Sequence, residues 1–118
     1  MARHNQTGKT GEAMAAGYCT LQGFRILYQN WRFGRLEVDI IAEKGGILHF
    51  IEVKTRRSSH YGNPEDSVTP KKIRHLMEAA EEFLEQYPGW QRIQFDVLAI
   101  TLLPGKKEEY FFIEDVFV

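Results

Sequence analysis

The chain has 118 residues, 43% hydrophobic and 26% charged, which are the proportions of one soluble globular domain and exclude a disordered, collagen-like or coiled-coil chain. Fifteen Lys and Arg against sixteen Asp and Glu leave a net charge of -1, so bulk positive charge does not mark it as a protein that coats nucleic acid. One cysteine, Cys19, rules out an internal disulfide, and no apolar run nears the roughly 20 residues of a membrane span, so a single cytoplasmic domain over 1–118 is expected.

Residues 8–23 read as a first helix, with Met14, Ala15, Tyr18, Cys19 and Gln22 at helical spacing and Gly23 as the C-terminal stop. Phe24 to Trp31 reads as a strand in which Phe24, Ile26 and Tyr28 share one face. Leu36 to Ala42 and Ile47 to Thr55 form a predicted hairpin around Glu43-Lys44-Gly45-Gly46, and residues 56–68 read as a loop. Thr69 then fits an N-cap with Pro70 at the first helical position, and Ile73, Leu76, Met77, Ala80, Phe83, Leu84 and Tyr87 trace one apolar stripe. Gln94 to Leu102 and Tyr110 to Phe117 are two further strands. The order α-β-β-β-α-β-β predicts an α/β fold, a mixed sheet of about five strands flanked by helices.

Charge is unevenly distributed along this framework. Residues 1–35 balance at +4, residues 36–53 at -3, residues 54–75 at +4 and residues 76–118 at -6. A short acidic block therefore lies between two basic ones, which predicts a basic working face with its counter-charge elsewhere.

The acidic block holds the unusual chemistry. In Leu36-Glu37-Val38-Asp39-Ile40-Ile41-Ala42 two carboxylates interrupt an apolar strand, and in Phe50-Ile51-Glu52-Val53-Lys54 a carboxylate and an ammonium do so. Buried charges are costly unless paired or bound to a cation. A two-residue turn at Lys44-Gly45 sets Glu37 opposite Glu52; a four-residue turn sets Asp39 opposite Glu52. Either register puts the carboxylates on one face, where mutual repulsion calls for a proton or a hard divalent cation, Mg2+ or Mn2+. Lys54, two residues from Glu52, suits orienting a water or neutralising a phosphate. A solvated edge with a weak ion pair fits the same pattern.

Asp39 followed by Glu52-Val53-Lys54, in this order of elements, resembles the PD-(D/E)xK nuclease superfamily with its restriction-endonuclease-like core. More of the chain is similar to the YraN-like family of small bacterial proteins related to Holliday junction resolvases. The matching pieces are Gly11-Glu12, Gly23-Phe24, Asn30-Trp31-Arg32, Glu37-x-Asp39-Ile40-Ile41-Ala42, Phe50-Ile51-Glu52-Val53-Lys54-Thr55-Arg56, Gly62, Val68, Lys71 and Phe95-Asp96-Val97. The resemblance implies an Mg2+- or Mn2+-dependent endonuclease acting on DNA, including branched DNA, and a homodimer where two strands are cut symmetrically. It implies Asp39 and Glu52 as metal ligands, the Val53 carbonyl completing their shell, Lys54 as the catalytic lysine, and Glu12 and Glu37 as acids beside the metal. Leu36 stands where the family has glycine and Gln94 where it has arginine. A non-catalytic module for nucleic acid or a protein partner on the same fold is the alternative.

Arg32, Arg35, Arg56, Arg57 and Lys71 are the expected phosphate contacts, with Lys72, Arg74 and His75 on the same basic rim. Gly8-Lys9-Thr10 lacks the first glycine and the preceding strand of a P-loop. The four histidines show no zinc spacing, Cys19 reads as core, and Asp96 is expected to hydrogen-bond a neighbouring helix.

Overall fold

The computed structural model describes residues 2–57 and 68–116, with side chains from Thr10 onward. Its elements are α1 (Ala2–Leu21), β1 (Arg25–Phe33), β2 (Leu36–Lys44), β3 (Ile47–Arg56), α2 (Pro70–Gln86), β4 (Ile93–Thr101) and β5 (Glu109–Ile113), the order read from the sequence. Most of the expected loop 56–68, including Gly62, lies outside the described residues, as do the side chains of Gly8-Lys9.

Helix α1 begins earlier than the apolar spacing suggests and ends where Gly23 predicts. Gly23 adopts φ 97, its N–H donates to the Thr20 carbonyl at 3.1 Å, and the Phe24 N–H donates to the Cys19 carbonyl at 3.0 Å. These two bonds satisfy the last helical carbonyls and turn the chain into β1.

The five strands lie in sequence order, with β3 and β4 parallel and every other pair antiparallel. Between β2 and β3 the turn is Gly45-Gly46, with φ values of 60 and 82, and the ladder runs from Lys44↔Ile47 to Ile40↔Ile51. That frame is the one that sets Asp39 across from Glu52. It closes with two residues rather than four because both glycines enter the left-handed region, where the turn's twist matches that of the strands.

Two layers of core cover the sheet. Trp31, Val38, Ile41, Leu48, Phe50, Phe95 and Val97 pack with Ile73, Leu76, Ala79, Ala80 and Phe83 of α2. Phe24, Ile40, Ala42, Ile51, Leu98 and Ile100 pack with Ala15 and Cys19 of α1. Phe83 is the hub of the first layer, its ring 5.4–5.7 Å from those of Tyr28, Trp31 and Phe50.

Two sequence expectations change. Met77 remains 42% exposed, while Ala79 is buried in its place, and Tyr87, though 41% exposed, keeps its ring 4.8 Å from that of Phe83. Met77 lies roughly 100° around the helix from the line of Leu76 and Phe83, and Tyr87 falls just past the helix end, as its C-cap. In β1, a register shift between Ile26 and Tyr28 sends Ile26 to the α1 layer and Leu27 to the α2 layer, while the Tyr28 ring also turns to Phe83 of α2. The period-2 rule fails there because a bulge adds one residue to the strand.

Candidate functional site

Strand β2 also loses its alternation, and does so at Asp39. Val38 packs in the α2 layer and Ile40 in the α1 layer, although residues two apart on a regular strand share a face. Across from Asp39, between the pairs Gln29↔Ile40 and Trp31↔Val38, Asn30 has φ 54. The irregularity brings the Asp39 side chain to β3, where its Oδ2 accepts the Val53 N–H at 2.7 Å.

Asp39, Glu37, Glu52, Val53 and Lys54 line one cavity of about 300 Å3 on the α2 side of the sheet, closed by Arg35 and by Lys72, His75 and Leu76. The expected grouping of the three carboxylates and the lysine is thus present in the fold. Burial first, and then the charges of Glu52, Glu37 and Glu12, push the Asp39 carboxyl up to about 6 against the opposing effect of the Val53 N–H. Burial also raises Glu52, opposed by Lys72, Lys54 and His75. Lys72 Nζ stands 3.7 Å from Glu52 Oε2.

Glu12 does not line the cavity. Its Oε2 accepts from Asn30 Nδ2 at 3.3 Å on the α1 side, close enough for its charge to act on Asp39. Arg32, expected to contact phosphate, instead pairs with Glu37, Nη2 to Oε2 at 2.9 Å. Arg35 reaches the cavity wall, whereas Lys71 is exposed on the first turn of α2 outside the lining. Arg56 and Arg57 follow Lys54 at the end of β3, Arg56 half-buried and Arg57 exposed. Among the described residues no three His, Cys, Asp or Glu side chains are gathered closely enough to hold a metal ion as they stand.

Of Lys72, Arg74 and His75, which the sequence placed together on the rim, Lys72 and His75 line the cavity. Their signal is that they flank Ile73 and Leu76, the first buried positions of α2, so they lie on the border of the face that meets the sheet. The charges of α2 also run against its macrodipole. Lys71, Lys72, Arg74 and His75 occupy the N-terminal part and Glu78, Glu81, Glu82 and Glu85 the C-terminal part, with no acid in the first turn and no base in the last. This order costs helix stability, on the order of a few tenths of a kcal/mol per charge in the first and last turns, and it sets Lys72 and His75 on the cavity wall.

Asp96 departs from expectation. Its partners are His49 Nδ1 on β3 at 2.7 Å, Gln94 Nε2 at 2.8 Å and the Asp115 N–H at 2.9 Å, not a helix. They lie on the α1 side of the sheet because His49 alternates with Leu48 and Phe50, which face α2.

These features define a mixed α/β domain with an acidic, lysine-edged cavity on paired central strands. Residues 11–100 match the model described as "Uncharacterised protein family UPF0102", and the chain belongs to that family. A UPF0102 protein of Phocaeicola vulgatus is 42% identical over 101 residues, 86% of this chain and 84% of its own. One of Christiangramia forsetii is 42% identical over 118 residues, 99% of this chain and 98% of its own. One of Chlorobaculum parvum is 48% identical over 103 residues, 86% and 78%. No helix among the described residues is long and apolar enough to cross a membrane.

Proposed function

We propose that this protein is a nuclease that hydrolyses DNA phosphodiesters, branched or structured DNA included, with Mg2+ or Mn2+. The supporting observation is the shared cavity of Asp39, Glu52 and Lys54, in which burial and neighbouring carboxylates leave Asp39 short of positive charge. Its donor set fits a hard divalent cation: Asp39 and Glu52 supply carboxylate oxygens and Val53 a backbone carbonyl beside them. Among the described residues only one oxygen of Asp39 is engaged, by the Val53 N–H, which fixes the carboxylate and leaves Oδ1 for a ligand. A bound cation of this kind polarises the phosphodiester and makes a water more acidic.

The chain's own groups account for the rest. Lys54 Nζ, on the exposed edge of the cavity, donates to the attacking water and holds it in line. Arg35 and Lys72, both lining the cavity, offset the charge of the phosphate oxygens. Lys72 Nζ, 3.7 Å from Glu52 Oε2, would be shared between that carboxylate and the phosphate. A symmetric cut of two strands requires two copies of the chain.

The experiment is cleavage of branched and linear DNA with Mg2+ or Mn2+, run beside Asp39→Ala and Lys54→Ala. Loss of cleavage in both variants, with the fold retained, supports this reading; undiminished cleavage in both traces the activity to a contaminant. A second reading, a binding module without turnover, is favoured by the Lys72–Glu52 and Arg32–Glu37 pairs, which already match two carboxylates with cations. Calorimetric titration with either metal, with and without DNA, separates them, since the binding module takes up no metal.

A further inference from the structure

A second cavity, of about 460 Å3, lies on the opposite face of the sheet, at the end of α1. Its size is that of a small-ligand site, for which about 300–1,000 Å3 is typical. His49 lines it although only 5% exposed, and is held by Asp96, which is fully buried. A carboxylate only accepts, so the Nδ1–H of His49 points to Asp96 Oδ2 and Nε2 is the nitrogen left for the cavity. Gln94 is fixed in the same way: its Nε2–H donates to Asp96 Oδ1, which leaves its carbonyl oxygen as the remaining acceptor. With the imidazole neutral, Asp96 thereby sets two acceptors, His49 Nε2 and Gln94 Oε1, at the wall of one cavity, on residues paired across β3 and β4. Among the described residues neither has a hydrogen-bond donor.

The other walls narrow the ligand class. Phe24, Tyr18 and Phe112 supply aromatic surface, and Lys44, exposed on the rim with Nζ 5.0 Å from the Phe24 ring centre, supplies one positive charge. An acyl chain would leave the polar wall without partners. A bare oxyanion would meet acceptors and the carboxylate of Glu114. A metal would find only His49 and Glu114 as ligands of the usual kind. What remains is a flat ring with adjacent N–H donors on one edge and an anionic substituent, stacked on aromatic side chains.

We infer that this cavity binds a guanine nucleotide, with the N1–H and N2–H2 edge at His49 Nε2 and Gln94 Oε1 and the phosphate at Lys44. His49 and Glu52 face opposite sides of β3, so the site stands apart from the carboxylate cavity and does not depend on its reading. A free mononucleotide and an unpaired guanosine within a strand present the same edge.

The test is NMR titration of the full chain with GMP, AMP, inorganic phosphate and a short single-stranded oligonucleotide containing one guanine. Saturable binding of GMP that perturbs His49 Nε2, exceeds AMP about tenfold and weakens at least fivefold in Lys44→Ala supports the site. Oligonucleotide binding with the same His49 perturbation and no GMP binding supports it with a strand as the source. Replacing His49 strips a buried carboxylate of its partner, so Lys44→Ala, on an exposed rim residue, serves as the variant. No binding by any probe, equal binding of GMP and AMP, or full competition by inorganic phosphate overturns it.

Discussion

The Val53 N–H donates to Asp39 Oδ2 at 2.7 Å, so a side chain of β2 takes a backbone donor of β3 just beyond the last paired residues, Ile40 and Ile51. The same carboxylate both fastens the hairpin and faces the cavity. Its two demands are opposed, because the bond favours the ionised form while burial and three neighbouring carboxylates disfavour it.

That conflict fixes a pH dependence. Asp39 is raised from 3.8 to about 6, so the folded state holds its proton more tightly than the unfolded chain. Its contribution to stability is full below about 3.8 and is lost as the pH rises through about 6. Asp39→Asn keeps an oxygen for the Val53 N–H and removes the charge, so it is expected to stabilise the protein by about 3 kcal/mol at pH 8 and by almost nothing at pH 3. Urea unfolding at the two pH values measures this, and a variant less stable than the parent at pH 8 contradicts it. Mn2+ should raise the melting temperature of the parent and not that of the variant.

Lys72 should act on Glu52 more than on stability. Both side chains of the pair are partly exposed, which limits their coupling to under about 1 kcal/mol in a double-mutant cycle with Lys72→Met and Glu52→Gln. Removing Lys72 takes away the largest influence that holds the Glu52 carboxyl down. NMR titration of Lys72→Met should therefore show Glu52 gaining its proton at higher pH than in the parent. No upward movement would mean that the ammonium is screened from the cavity.

Gly11 sets the distance between α1 and the sheet. It is buried, and a Cβ there would overlap Thr55 Oγ1 on β3. Gly11→Ala should cost about 1–3 kcal/mol through overpacking, despite the better helix propensity of alanine. Thr55→Ala in the same chain should recover most of the loss in a thermal melt, because it removes the atom that collides. Equal stability of Gly11→Ala and the parent would show that α1 shifts freely.

Cys19 should be inert while the protein is folded. It is fully buried, and burial together with the charge of Asp96 pushes its thiol up to about 11. Reaction with an aromatic disulfide reagent at pH 8 is expected to follow global unfolding, speeding up with urea in step with the loss of structure. A rapid reaction in native buffer would refute the buried placement.

Much of this was legible because the signals are local. Thr69-Pro70 opens α2, where Thr69 Oγ1 accepts the Lys72 N–H at 3.3 Å, and Gly23 closes α1 through its φ of 97. The glycines at 45 and 46 mark the hairpin, but the sequence left Glu37 or Asp39 opposite Glu52, and the register formed by the Gly45-Gly46 turn chose Asp39. Met77 and the face of Tyr28 were misplaced because a periodic stripe shows that a face exists but not where its edge falls, and a bulge resets the count without a sequence mark.

The sequence by itself determined the order of elements, the hairpin and the pairing of carboxylates with Lys54, since each depends on residues close along the chain. Only the tertiary structure decided which charges meet. It drew Arg32 to Glu37 and Lys72 to Glu52, placed Glu12 against Asn30 rather than in the cavity, and joined His49 to Asp96, 47 residues away. Ion pairs and buried hydrogen bonds are set by distances of a few ångströms between elements, and those are fixed only when α1 and α2 close their two cores onto the sheet.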